Sequence, residues 1–240
     1  MDAIADPAFL VCAGAVLAGA FIQGTGGLGF AMFAAPVAAL LKPELVPGPL
    51  LLLGAVLSLM AALRERAAID YRSAGIALAG RVAGSIVAGV VIGLAPQNIF
   101  AITFAVLVLL AVAMSLVLPR LRATPVTLSF AGFGSGLMGT ITSVGAPPMG
   151  IVMQNEAPAR IRATIGAFLA LGALVSVVVL ALAGRFGMRE VLLGALLLLP
   201  MAVGFRLSTA LVSRVNARAV RHVVLAVSAV SALILVAQNL

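Results

Sequence analysis

Gly139-Thr140-Ile141-Thr142-Ser143-Val144-Gly145-Ala146-Pro147-Pro148 lies inside an apolar stretch, 124–154, that is too long for one membrane crossing. Gln23-Gly24-Thr25-Gly26-Gly27-Leu28-Gly29 interrupts a second such stretch, 8–41. A helix cannot run comfortably through either cluster, because glycine costs about 1 kcal/mol per interior position and proline about 3. A break frees backbone N–H and C=O groups, and in a bilayer these are tolerated only against protein or a wet cavity. The two clusters therefore predict broken or re-entrant segments lining an interior site. Pairs of short helices and re-entrant hairpins remain equal options.

The rest of the chain fits a membrane setting. Of its 240 residues, 63% are hydrophobic and 9% charged, against about 25% charged in soluble domains. Its outer surface must face something other than water, which excludes a soluble enzyme. The formal charge of +8 comes from basic residues scattered singly between apolar runs. That pattern gives no stripe for nucleic acid. Cys12 is the only cysteine and reads as a buried thiol. The acidic start, Asp2 and Asp6, lacks the basic region of a removable signal.

Runs 45–63, 73–95, 99–118, 163–184 and 191–212 are each long enough to cross a bilayer, and 223–238 is slightly short. Ten of the fifteen basic residues fall in the connections 64–72, 119–123, 155–162 and 213–222. By the positive-inside rule those loops are cytoplasmic and the N-terminus is outside. Each broken stretch then enters and returns on its own side.

The two halves, 1–119 and 120–240, carry the same order of elements: one broken hairpin and three crossings. Gly24-Thr25 and Gly139-Thr140 match 115 residues apart, as do Pro43 and Pro158. This predicts an all-α polytopic membrane protein built as one integrated domain from two inverted repeats, an arrangement suited to alternating access.

Candidate site residues follow from the breaks. A freed helix N-terminus carries partial positive charge and directs N–H groups at one point, which suits an anion. Thr25, Thr140, Thr142 and Ser143 offer hydroxyls, and Gln23 and Gln154 offer amides. Gly24, Gly26, Gly27, Gly145 and Pro147 shape the tips. Arg81 and Arg206 lie inside apolar runs that contain no acidic residue to pair with them. A cation at that depth calls for a cavity or a partner, and a substrate anion would supply one. Snorkelling to the headgroups is the competing reading. Glu44, Glu156 and His222 read as solvated loop charges. No metal-ligand set and no nucleophile–base pair lies at depth, so neither cofactor nor metal is expected.

The residues resemble the sulfite exporter TauE/SafE family, also called the toluene sulfonate uptake permease family, over nearly the whole chain. Gly136 to Pro148, ending Gly145-Ala146-Pro147-Pro148-Met149 and followed by Gln154, is similar to the family's glycine and double-proline element. Ala146 stands where a second glycine is usual. Gly24 to Gly29 with Pro36 is similar to the N-terminal glycine cluster. The resemblance implies a bacterial inner-membrane transporter of sulfite or organosulfonate anions. Partners expected are the anion and the bilayer, with a homodimer left open. A small-solute channel and a non-transporting scaffold are the rival functions.

Overall fold

The structure, a computed structural model, describes residues 6–94, 97–117, 121–211 and 217–239. These residues form helices and no strand. The first half contains α1 (Pro7–Gly26), α2 (Phe30–Leu41), α3 (Gly48–Arg64), α4 (Tyr71–Leu94) and α5 (Gln97–Val117). The second contains α6 (Pro125–Thr142), α7 (Ala146–Met153), α8 (Pro158–Leu182), α9 (Met188–Leu196), α10 (Leu198–Leu211) and α11 (Ala217–Asn239). The boundary between 119 and 120 and parts of two basic connections lie outside the described residues.

Among the described residues, five helices are long and apolar enough to span a bilayer: α1, α4, α5, α8 and α11. Two sequence expectations shift. Run 45–63 becomes α3, a helix of 17 residues that starts only at Gly48. Run 191–212 is two helices bent by 44° at Leu197 rather than one straight span. Pro200 explains the bend: it cannot donate to the carbonyl four residues back, and its ring crowds that carbonyl.

Both broken stretches are unequal hairpins. α1 has 20 residues, α2 has 12, α6 has 18 and α7 has 8. α2 folds back along α1, so that Lys42 Nζ reaches Asp6 Oδ2 at 2.5 Å. Asp6 also caps α1 through Ala8 N–H at 2.9 Å, and the Lys42 ammonium with that amide holds its carboxyl below the usual range. α7 returns in the same way, and Asn155 Nδ2 donates to Leu121 O at 3.4 Å. The hairpins enter from opposite faces. Lys42 shares its face with Glu44, which pairs with Arg189 at 2.7 Å. On the other face Arg162 pairs with Glu65 at 2.9 Å, and Arg64 donates to Gly24 O at 2.8 Å.

The helix contacts pair across the halves. α4 lies along α6 and α1 along α10, α3 packs on α8, and α5 packs on α11. Each contact maps onto another, or onto itself, when the two halves are exchanged. Glycines set the closest of these approaches. A Cβ on Gly84 would sit 2.0 Å from Phe133 O, and one on Gly136 would sit 2.2 Å from Arg81 O. Small residues let helix backbones approach where lipid offers no hydrophobic drive.

Gly84→Ala is expected to lower thermal stability in detergent by about 1–3 kcal/mol through overpacking. Gly75, on the same helix, has nothing within 4 Å of its would-be Cβ. Gly75→Ala is expected to be neutral or to stabilise by up to about 1 kcal/mol, as helix propensity dictates. Equal effects from the two substitutions would contradict the close α4–α6 contact.

Candidate anion site at the meeting of two half-helices

Local backbone chemistry fixes both tips. α1 ends at Gly27 (φ 79), and Gly29 (φ 123) precedes α2. Both angles are open to glycine and strained for other residues. α6 ends at Ser143, which takes φ 66 without being glycine. Its Oγ donates to Pro47 O at 2.9 Å and so ties the tip to the start of α3. Gly27 and Ser143 are the equivalent turning points, each with its N–H on the carbonyl four residues back. This register lies one residue away from the Gly24-Thr25/Gly139-Thr140 match.

α2 and α7 begin in the interior. Neither N-cap residue, Gly29 or Gly145, has a side chain to cap its helix. Phe30 N–H reaches Gln23 Oε1 at 3.3 Å. Among the described residues, the amides of Ala31, Met32, Gly145 and Ala146 find no backbone acceptor. In α7 the next positions are Pro147 and Pro148, which have no N–H to leave unsatisfied. The double proline thus allows a helix to start inside the protein with few orphaned donors.

The two starts face one cavity. Its wall includes Gln23 and Gly29–Met32 from the first hairpin, Ser143–Ala146 from the second, Ser58 from α3, and Arg81 from α4. Leu50, Leu51, Gly54, Leu169 and Ala173 complete it. The room open to the centres of water molecules is about 40 Å³. At about 10–15 Å³ per water, this holds a few waters or one small anion.

Arg81 is 1% exposed. Its Nη1 donates to Ser135 Oγ at 2.7 Å, and its Cζ lies 5.3 Å from the centre of the Phe168 ring. Nε is buried with no partner. No described carboxylate pairs with this guanidinium. Serine and an aromatic face compensate a buried cation only in part. Two helix N-termini add partial positive charge to the same cavity.

Four of the expected site residues line this cavity: Arg81, Gln23, Ser143 and Gly145. Gln23 also braces the turn, donating from Nε2 to Ser58 Oγ at 3.0 Å. Thr142 is buried behind the tip, where its Oγ1 donates to Met138 O and accepts from Val144 N–H. Thr140 meets Ser176 at 2.8 Å between α6 and α8. Pro147 is buried in the first turn of α7. The other expected residues lie elsewhere. Gly24 packs against Ser208 on α10 and Gly27 against Arg162. Thr25 and Gly26 line a separate pocket beside α11, and Thr25 Oγ1 bonds to Ile22 O at 2.8 Å. Arg206 is exposed on α10, because Phe205 and Ser208 take the inward positions. Gln154 is exposed at the outer end of α7. Ser58 and Ser135 did not stand out in the sequence, although Ser58 is the lone polar residue of run 45–63. Among the described residues, no three His, Cys, Asp or Glu side chains converge on a metal-sized site.

The family model for the sulfite exporter TauE/SafE matches residues 11–235. No curated protein and no solved structure matches the chain.

A buried cation without a counter-ion destabilises the protein that holds it. Arg81→Met is therefore expected to leave the thermal midpoint in anion-free detergent unchanged or higher, and to abolish stabilisation by added anion. A clear fall in that midpoint would make the guanidinium a structural element.

Proposed function

Because the chain belongs to the sulfite exporter TauE/SafE family of membrane transporters, we propose that it carries a small sulfur-containing oxyanion across the membrane by alternating access. The observation that carries this reading is the buried guanidinium of Arg81 facing the starts of α2 and α7, with no carboxylate among the described residues to neutralise it. A bound oxyanion would accept from Arg81, from the free amides at the two helix starts, and from the Ser58 hydroxyl. Gln23 and Ser143 hold the tips in place. No bond is made or broken in the substrate, so the protein works as a carrier rather than an enzyme. The cavity volume suits sulfite as it stands, and an organosulfonate would need the tips to part.

Two inverted repeats, 1–119 and 120–240, supply the motion in this reading. It is supported by hairpins that enter from opposite faces and by helix contacts that persist when the halves are exchanged. Such repeats let one set of contacts open toward either side of a fixed site. We place the Arg162 face, with its basic connections, in the cytoplasm of a bacterial cell and the N-terminus outside the inner membrane.

The test is flux of labelled anions in proteoliposomes at several pH values, comparing sulfite, organosulfonates and carboxylates. Sulfite flux is expected to saturate and to show counter-exchange. Arg81→Gln is expected to reduce it about a hundredfold, the loss that follows removal of a charged hydrogen-bond donor from a buried site. Flux that does not saturate would indicate a channel. Unchanged saturable flux with Arg81→Gln would place the site elsewhere.

A further inference from the structure

Arg81 has five N–H donors, and the hydrogen bond it makes among the described residues uses one of them, on Nη1. Its acceptor, Ser135, is wholly buried and donates its own hydroxyl proton to Gly145 O. That second bond fixes the hydroxyl rotor, so a lone pair of Ser135 Oγ is held toward Nη1. Nε remains buried and unpartnered. Gly172 makes room for this edge of the guanidinium, because a Cβ there would lie 2.0 Å from Nε and 2.2 Å from Cδ. Phe168 holds the group from one turn away on α8.

We infer that Ser135 is a positioning residue: by reserving Nη1 it leaves the Nε/Nη2 edge of Arg81 to grip two oxygens of an oxyanion. This rests on the reading of the cavity as an anion site. The Nε–H and one Nη2–H of a guanidinium are nearly parallel and match two oxygens on one central atom. A halide carries the same charge but meets such a fork at a single point. A lysine at position 81 would keep the charge and lose the fork. The site therefore selects by oxygen geometry as well as by charge, and Ser135 sets the direction of the selecting edge. Because Ser135 also holds Gly145, the fork is tied to the second hairpin tip and moves with it.

The test measures sulfite and bromide binding to the purified full-length protein by calorimetry. The wild type is expected to prefer sulfite. Ser135→Ala is expected to lower the sulfite-to-bromide affinity ratio about tenfold, the scale of one misdirected charged hydrogen bond, and to leave bromide affinity within about twofold. Ser135→Thr, which keeps the hydroxyl, is expected to retain the ratio. Arg81→Lys should bring the ratio close to one. Gly172→Ala disturbs the same edge from α8 and should lower the ratio with Ser135 intact. Retained bromide binding reports that each variant is folded. A ratio unchanged in both Ser135→Ala and Gly172→Ala overturns the inference and leaves the anion site standing. Failure of the wild type to bind either anion removes the proposed function and this inference with it.

Discussion

A guanidinium held 1% exposed, with no carboxylate beside it among the described residues, is the constraint that the rest of the molecule answers. Burial takes Arg81 out of water, and its partners among the described residues are one hydroxyl and one aromatic face. Such a charge destabilises the fold by several kcal/mol unless something negative joins it, and removing it outright is often neutral or favourable. The neighbouring backbone is arranged to admit it. Gly172 leaves space on α8, and Gly136 brings α6 against the backbone of α4 at Arg81 itself. The two helix starts face the same cavity and add to the positive potential there.

Faces and tips are linked mechanically. On one face, Asp6, Lys42, Glu44 and Arg189 connect the outer end of the first hairpin to α9. On the other, Arg162, Glu65 and Arg64 connect α8, α3 and the end of α1 near Gly24. Ser143 reaches across to Pro47. A movement of either tip must break contacts of this kind on one face. Ion pairs at a membrane surface are individually weak, because water and salt screen them. They therefore suit contacts that form and release, whereas the glycine-lined α4–α6 contact suits a fixed frame.

Much of this was legible in the sequence, and the rest was hidden for physical reasons. Glycine and proline clusters within overlong apolar stretches revealed both hairpins, because backbone breaks have few other causes in a membrane. Arg81 stood out because nothing nearby could neutralise it. Its fellow candidate Arg206 had the same signature and turned out to face outward. The choice between inward and outward rests on helix phase, and a helix that is apolar all round carries almost no periodic signal. Thr25 and Thr140 were named for their chemistry, yet Thr25 bonds to its own helix and Thr140 to a serine on α8. Hydroxyls in apolar helices often turn back to backbone carbonyls in this way. Ser58 and Ser135 were missed because a serine in an apolar helix looks like any other until the opposing helix is known. The bend at Leu197 was signalled by Pro200, but the run around it was apolar enough to pass as one crossing.

In the proposed mechanism the starts of two half-helices and one arginine hold an anion between them. The most direct test is a crystal structure of the protein soaked in selenite, in which selenium replaces the sulfur of sulfite, with anomalous scattering used to locate the selenium. One peak is expected about 4 Å from the Arg81 guanidinium, the sum of a hydrogen bond and a bond to the central atom projected along it, lying between Ala31–Met32 and Gly145. A well-diffracting soaked crystal with no peak in that cavity, or with selenium only at exposed cations such as Arg185 and Arg206, would contradict it.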